Sequence, residues 1–324
     1  MINAAIYGIG RWGQNLVKSV QGNSDKINFV TGITRTPDNH ADFGSEMSLS
    51  ISDDYDAVLD DENIDAVVLA TVHSHHAEQI KLAAGAGKHV FCEKPLALTR
   101  NDAEEAAQAC AAAGVVLGVG FARRFLPAFA DMKQLISEGV IGDILHLEAM
   151  HSGPTGYRTA PDSWRALRSE NPAGGMAARG IHNLDIMIEL CGEVSSVYAT
   201  SDHRAIENDM DDATSMMFQF KNGTTGYLST IFATGNIWRM YIMGTKGWLE
   251  MRGEHCLVVS DLDNVTETRN YDEADTLKAE LEAFADACNG GDAFPVPVDH
   301  VVHGISVLEA VDESAKSGTK IEVE

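Results

Sequence analysis

A glycine triplet near the amino terminus constrains this chain more than any other feature. Gly8-Ile9-Gly10-Arg11-Trp12-Gly13 follows the apolar run Ala4-Ala5-Ile6-Tyr7 and precedes Leu16, Val17 and Val20, which share one helical face. In such a loop the first glycine makes a tight turn. The second lets backbone approach a pyrophosphate, and the third lets helix and strand pack closely. The helix amino end that follows attracts phosphate. A strand, this loop and a helix begin a dinucleotide-binding domain, and Gly8, Gly10, Arg11, Trp12 and Gly13 are its expected cofactor contacts.

The chain continues in the same alternation. Strands are expected at 27–33, 64–70, 89–92 and 115–119, with helices at 77–86 and 103–113. Near-continuous apolar strands separated by helices predict a parallel sheet covered on both faces, doubly wound, with ligands at the strands' carboxyl ends. After about residue 122 the pattern changes to alternating strands at 144–150, 194–200, 214–220, 224–230, 238–243 and 248–251, two of them flanking the turn signal Lys221-Asn222-Gly223. Helices are expected at 127–137, 180–190, 277–288 and 298–315. The fold class is therefore α/β: an N-terminal doubly wound dinucleotide-binding domain over residues 1–121 and a C-terminal α+β domain over 122–324 with a mostly antiparallel sheet. A chain of 324 residues suits two cores, expected to pack closely around a cleft.

Charge narrows the partners. With 48 acidic against 24 basic residues, the net charge of −24 repels polyanions, so neither nucleic acid nor an anionic membrane is expected. The 5 cysteines have no paired or metal-ligand spacing and read as reduced thiols. Met1–Gly8 lacks a basic n-region, and no stretch is long and apolar enough to span a membrane, which points to a cytoplasmic protein.

Four further segments carry chemistry. Thr34-Arg35-Thr36 ends the second strand with no carboxylate to take a ribose 2′-hydroxyl. Its basic and hydroxyl groups, with Arg11, favour NADP over NAD. Ala70-Thr71-Val72-His73-Ser74-His75-His76 ends the third strand. Neighbouring histidines on a turn do not converge, so no metal is expected, and Ala70, Thr71, His73 and His76 are read as cofactor contacts. In His89-Val90-Phe91-Cys92-Glu93-Lys94-Pro95, Lys94 stands at a strand's carboxyl end, where a dinucleotide's reactive end reaches, and Glu93, Lys94 and Pro95 are read as cofactor contacts. Finally, Pro172-Ala173-Gly174-Gly175-Met176-Ala177-Ala178-Arg179-Gly180 leads into a helix with His182 and Asp185 on one face. A histidine there can take a proton near neutral pH. Together these point to a nicotinamide-dependent oxidoreductase.

The sequence resembles the glucose–fructose oxidoreductase and inositol dehydrogenase (Gfo/Idh/MocA) family over nearly its whole length. The resemblance rests on the glycine loop, Ala70-Thr71 with Ser74 and His76, Gly87–Ala97 around Glu93-Lys94-Pro95, Gly118–Phe121 with Arg123-Arg124-Phe125, Trp164-Arg165, and Gly180–Asp185. It implies that Lys94 contacts nicotinamide ribose and substrate hydroxyl, that His182 is the acid/base and that Asp185 binds substrate. It also implies that the N-terminal domain is a Rossmann domain and that the C-terminal domain is built on an open, mostly antiparallel sheet that pairs subunits into a homodimer or homotetramer. Arg123 joins the substrate contacts from the matching segment. Tyr157, Trp164 and Arg165 join them from a basic region, shared with Arg158, Arg168 and Arg179, that suits a sugar, cyclitol or sugar acid.

Two departures stand out. Inositol-dehydrogenase-like members carry an aspartate four residues before the histidine, where this chain has Ala178; and Val72-His73 replaces the Pro-Asn of the usual loop. The expected activity is hydride transfer between NADP (or NAD) and a secondary alcohol or carbonyl, with a non-redox relative (a dinucleotide-sensing regulator or an NAD-dependent glycosidase) as the alternative.

Overall fold

The computed structural model describes residues 1–324, which form two compact units. The first comprises Met1–Ala97, Asn101–Ala122 and Asp275–Val302; the second comprises Leu98–Arg100, Arg123–Ala274 and His303–Glu324. The Asp275–Val302 segment, which a boundary at residue 121 assigns to the second half, thus belongs to the first unit.

The first unit runs β1 (Ile2–Tyr7), α1 (Arg11–Val20), β2 (Ile27–Ile33), α2 (Ala41–Met47), β3 (Ser50–Ser52), α3 (Tyr55–Asp60), β4 (Ala66–Leu69), α4 (His76–Gly85), β5 (His89–Glu93), α5 (Arg100–Ala113) and β6 (Leu117–Gly120). Its six strands are all parallel, in the order β3-β2-β1-β4-β5-β6. Order reverses between β1 and β4, and such a switch point opens a crevice at the carboxyl ends. β4 is buried throughout, as a strand covered on both faces must be. The edge strand β3 and the short helices α2 and α3 carry no strong periodic signal; Ser50-Ile51-Ser52 offers a single apolar residue.

α9 (Thr276–Cys288) completes this core. Leu281, Phe284 and Ala285 are buried in one cluster with Ile6, Val17, Phe29 and Phe91. Its apolar stripe, facing β5 and α1, is why this segment returns to the first unit. The Phe284 and Phe91 rings meet at 5.6 Å. One helical turn from Phe284 stands Glu280, and two strand residues from Phe91 stands Glu93, so the ring contact carries the two carboxyls to the same place. Glu280 is 0% exposed and its carboxyl oxygens have no hydrogen-bond partner.

The second unit contains α6 (Pro127–Ser137), β7 (Ile144–Ser152), α7 (Thr155–Arg158), α8 (Ile181–Cys191), β8 (Val194–Asp202), β9 (Ala213–Phe220), β10 (Thr225–Ile231), β11 (Ile237–Gly244), β12 (Gly247–Arg252), β13 (Cys256–Asp261) and β14 (Thr266–Asn270). The later part of α10 (Val298–Ser317) and the two-residue β15 (Ile321–Glu322) complete it. Its nine strands are ordered β14-β13-β12-β11-β7-β10-β9-β8-β15, antiparallel except for β7 and β10. The Lys221-Asn222-Gly223 turn joins β9 to β10 as its composition predicts. Alternation sorts the strands: Met216 and Phe218 are buried, whereas Met217 is exposed and pairs with Tyr198 on one side and Tyr227 on the other. β14, Thr-Glu-Thr-Arg-Asn, is a polar edge strand with no hydrophobic signal.

Burial, reinforced by the charge of Glu93, pushes the Glu280 carboxyl well up, so it stays protonated where an unfolded chain ionises it. The unfolded state then binds fewer protons, and stability falls as pH rises above the ordinary glutamate range. Glu280→Gln removes that titration. Its melting temperature should match the parent at about pH 4 and exceed it by several degrees at about pH 8. Scanning calorimetry at both values decides, and a pH-independent difference refutes the account.

Candidate active site

Four loops leave the carboxyl edge of the parallel sheet, one from each of β1, β2, β4 and β5. The first is shaped by lack of space. A Cβ on Gly8 (φ 106°) would stand 2.4 Å from the Ala70 carbonyl oxygen, and one on Gly13 would stand 1.9 Å from the Gly8 oxygen. Around Gly10, by contrast, nothing lies within 4 Å of the Cβ position, and no side chain caps α1. Open space before the middle glycine and uncapped amide groups at a ten-residue helix fit a dinucleotide pyrophosphate. Arg11 and Trp12 are exposed on the first helical turn.

Beyond β2, Thr34 is partly buried and Arg35 and Thr36 are exposed. The first carboxylate in this loop is Asp38, in the turn Pro37–His40. Beyond β4 the histidines diverge: His73 and His76 are buried with rings 5.9 Å apart, whereas His75 is exposed. His76 donates from Nδ1 to the Pro95 carbonyl at 2.8 Å, which fixes its tautomer and ties this loop to the Lys94 loop. The Thr71 hydroxyl donates to Gln79 Oε1 at 2.6 Å. No group of three His, Cys, Asp or Glu side chains is placed to hold a metal ion.

Beyond β5 the Lys94–Pro95 peptide is cis. The Glu93 carboxylate is buried against Gly120 and accepts from the Lys94 amide at 3.3 Å. It therefore reaches the backbone that presents Lys94, while Glu280 stands behind it on α9. Cys92 is buried, and burial raises its thiol well above the ordinary range, leaving it no thiolate to react.

The second unit carries its own constellation. Met176–Gly180 forms a π-helical turn that feeds α8, a device common at functional sites. His182 follows on α8 and is buried, 6.5 Å ring to ring from His151 of β7. His151 donates from Nδ1 to the Arg179 carbonyl at 3.2 Å. Trp238, paired with His151 across β7 and β11, donates from its indole to Asn183 at 2.8 Å and carries Arg123 5.6 Å over its ring. His151 and Trp238 lie on strands whose alternation reads as sheet alone, and only the pairing of β7 with β11 reveals them beside His182.

Other expected contacts are placed differently. Asp185 is grasped by Arg124, at 2.6 Å from Nε and 2.8 Å from Nη2, with side chains 4% and 3% exposed. Arg124 also pairs with Glu189, one turn further along α8. Arg168 pairs with Asp211, Arg165 stacks 4.2 Å over Trp164, and Tyr157 is 62% exposed.

Residues 2–121 match the oxidoreductase family with an NAD-binding Rossmann fold, and residues 129–250 match the GFO/IDH/MocA C-terminal domain. The scyllo-inositol 2-dehydrogenase (NAD(+)) of Bacillus subtilis is 30% identical, covering 100% of this chain and 96% of that protein. The D-xylose 1-dehydrogenase (NADP(+)) 2 of Haloferax volcanii is 26% identical over 83% of this chain and 84% of its own length. A solved levoglucosan dehydrogenase in complex with NADH is 25% identical with a TM-score of 0.89, covering 100% and 99% of the two chains. The chain belongs to the Gfo/Idh/MocA family. It is an NAD(P)-dependent oxidoreductase that pairs a Rossmann domain with an open, mostly antiparallel sheet.

The Arg124 clamp makes a stability prediction. Asp185→Ala removes one of two carboxylates from a buried guanidinium and should cost about 3 kcal/mol in urea unfolding. A loss below about 1 kcal/mol, with a raised KM instead, would return Asp185 to the substrate.

Proposed function

We propose that this enzyme interconverts a secondary alcohol and a ketone, or a lactol and a lactone, on a polyhydroxylated, sugar-like ring, with NADP as the preferred cofactor. The observation that carries the reading is Lys94 on the β5 loop, at the same sheet edge as the glycine cradle, its backbone supported by buried Glu93. The named relatives support the substrate class: inositol, xylose and levoglucosan are all polyols or sugar rings.

The nicotinamide, when bound, supplies the hydride acceptor or donor. The Lys94 ammonium binds the substrate hydroxyl and stabilises the charge that builds on its oxygen as hydrogen leaves carbon. His182 takes the hydroxyl proton in oxidation and returns it in reduction. Ala178 stands where relatives of the inositol type carry aspartate, and the His151 ring is a neighbour of His182 here. The glycine cradle and the α1 amides hold pyrophosphate, Arg35 with Thr34 and Thr36 receives a 2′-phosphate, and Ala70, Thr71 and His73 line the cofactor. Subunits pair through the outward face of the large sheet, where Tyr198, Met217 and Tyr227 stand side by side.

With a turned-over substrate in hand, Lys94→Ala should lower kcat by about 10²- to 10³-fold, and His182→Ala should remove one limb of the kcat/KM–pH profile. Near-normal turnover in the first, or an unchanged profile in the second, reassigns the role. Arg35→Asp should shift the NADPH/NADH preference toward NADH by about tenfold or more, the worth of a charge-assisted hydrogen bond. Fluorescence titration with both reduced cofactors measures it, and unchanged selectivity contradicts the 2′-phosphate assignment.

A further inference from the structure

In a protein with twice as many acidic as basic residues, a half-buried arginine without a carboxylate partner is unexpected. Several arginines of the second unit are paired with carboxylates: Arg124 with Asp185 and Glu189, Arg168 with Asp211, Arg252 with Glu250 and Arg269 with Asp131. Arg179 makes no such pair although it is half-buried. It donates from Nη1 to the Ser152 carbonyl at 2.8 Å and from Nη2 to the Thr155 hydroxyl at 2.7 Å, and its plane lies 5.8 Å from the Phe232 ring. These neutral contacts aim the guanidinium without cancelling its charge.

Its charged neighbours are cations. Burial lowers the Arg179 pKa, and Arg158 lowers it further. Burial likewise lowers that of Arg123, Glu254 opposes the shift, and Arg179 adds to it. Arg123 meets Glu254 at 3.1 Å through one nitrogen, while its buried Nε has no acceptor. The two arginine residues converge on His151: the Arg179 backbone carbonyl accepts from its ring, Arg123 lies over the Trp238 that pairs with it across the strands, and His151 stands beside His182. A Cβ on Gly153 would meet Arg179 Nη1 and Asn236 Oδ1 at 2.5 Å each, so the glycine admits both groups to one spot.

We propose that Arg179 and Arg123 form an anion-recognition site beside His182, and that the substrate is a sugar acid carrying a carboxylate rather than a neutral sugar or cyclitol. This rests on the oxidoreductase reading above. Two desolvated guanidiniums that raise each other's cost of charge, with the buried Arg123 Nε left without an acceptor, favour a bound carboxylate.

The test uses cofactor-saturated protein and matched ligands: D-galactose, D-galacturonate and D-galactose 1-phosphate. Calorimetric titration should show galacturonate binding at least about tenfold tighter than galactose, with the advantage lost in Arg179→Gln and partly kept in Arg179→Lys. In turnover, the acid-to-neutral ratio of kcat/KM should fall about tenfold in Arg179→Gln, mainly through KM. Equal binding of acid and neutral sugar, an unchanged ratio, or a preference for the phosphate ester overturns the proposal. If none of these or related sugars reduces cofactor, the oxidoreductase reading fails separately, and the titration still decides whether the site selects carboxylates.

Discussion

The turn between β1 and α1 has no room for side chains, and much of the first unit is arranged around that fact. At Gly13 a single added carbon would collide with the Gly8 carbonyl, and at Gly8 with the backbone leaving β4. The helix therefore starts directly above the strand, and the neighbouring strand's exit loop presses against the same turn. Only the middle glycine faces open space. Crowding on two sides and vacancy on the third define a docking direction for a phosphate chain before any charged side chain is considered.

In the second unit the comparable constraint is electrostatic. Arg124 is buried and holds Asp185 and Glu189 on successive turns of α8, so the helix bearing His182 is tied through its own acidic face. Adjacent residues in one short segment thus separate in purpose: Arg124 holds two carboxylates, whereas Arg123 lies over Trp238 and keeps a buried Nε without an acceptor. The buried carboxyls of the first unit follow a similar economy. Glu93 reaches the Lys94 amide, while Glu280 carries no hydrogen bond and stays protonated behind it.

Much of this was legible in the sequence, and the exceptions have physical reasons. Strong periodicity announces β2, α6 and the hairpin at Lys221-Asn222-Gly223, because each buries a regular apolar face or needs a turn residue. The edge strands β3 and β14 bury little, so their composition is that of a loop. Glycine spacing and the Glu93-Lys94-Pro95 run reveal chemistry because few local structures need those residues. His151, Trp238 and Glu280 are silent by comparison. Their significance arises from pairing across strands, or from a helix distant in sequence. Asp185 illustrates the reverse: spacing of three from His182 places both on one face, but cannot reveal that Arg124 holds it.

Helix α9 gives the chain an unusual order of assembly. The first unit draws Leu281, Phe284 and Ala285 into its core from a segment more than half the chain away from the strands they cover. The nucleotide-binding fold is therefore not finished when its last strand has been synthesised. A ribosome must deliver nearly the entire polypeptide before the hydrophobic surface over Phe91 is sealed. Exchanging residues 1–121 between relatives would likewise transplant a sheet without its cover. The modular unit, for folding and for recombination alike, is discontinuous.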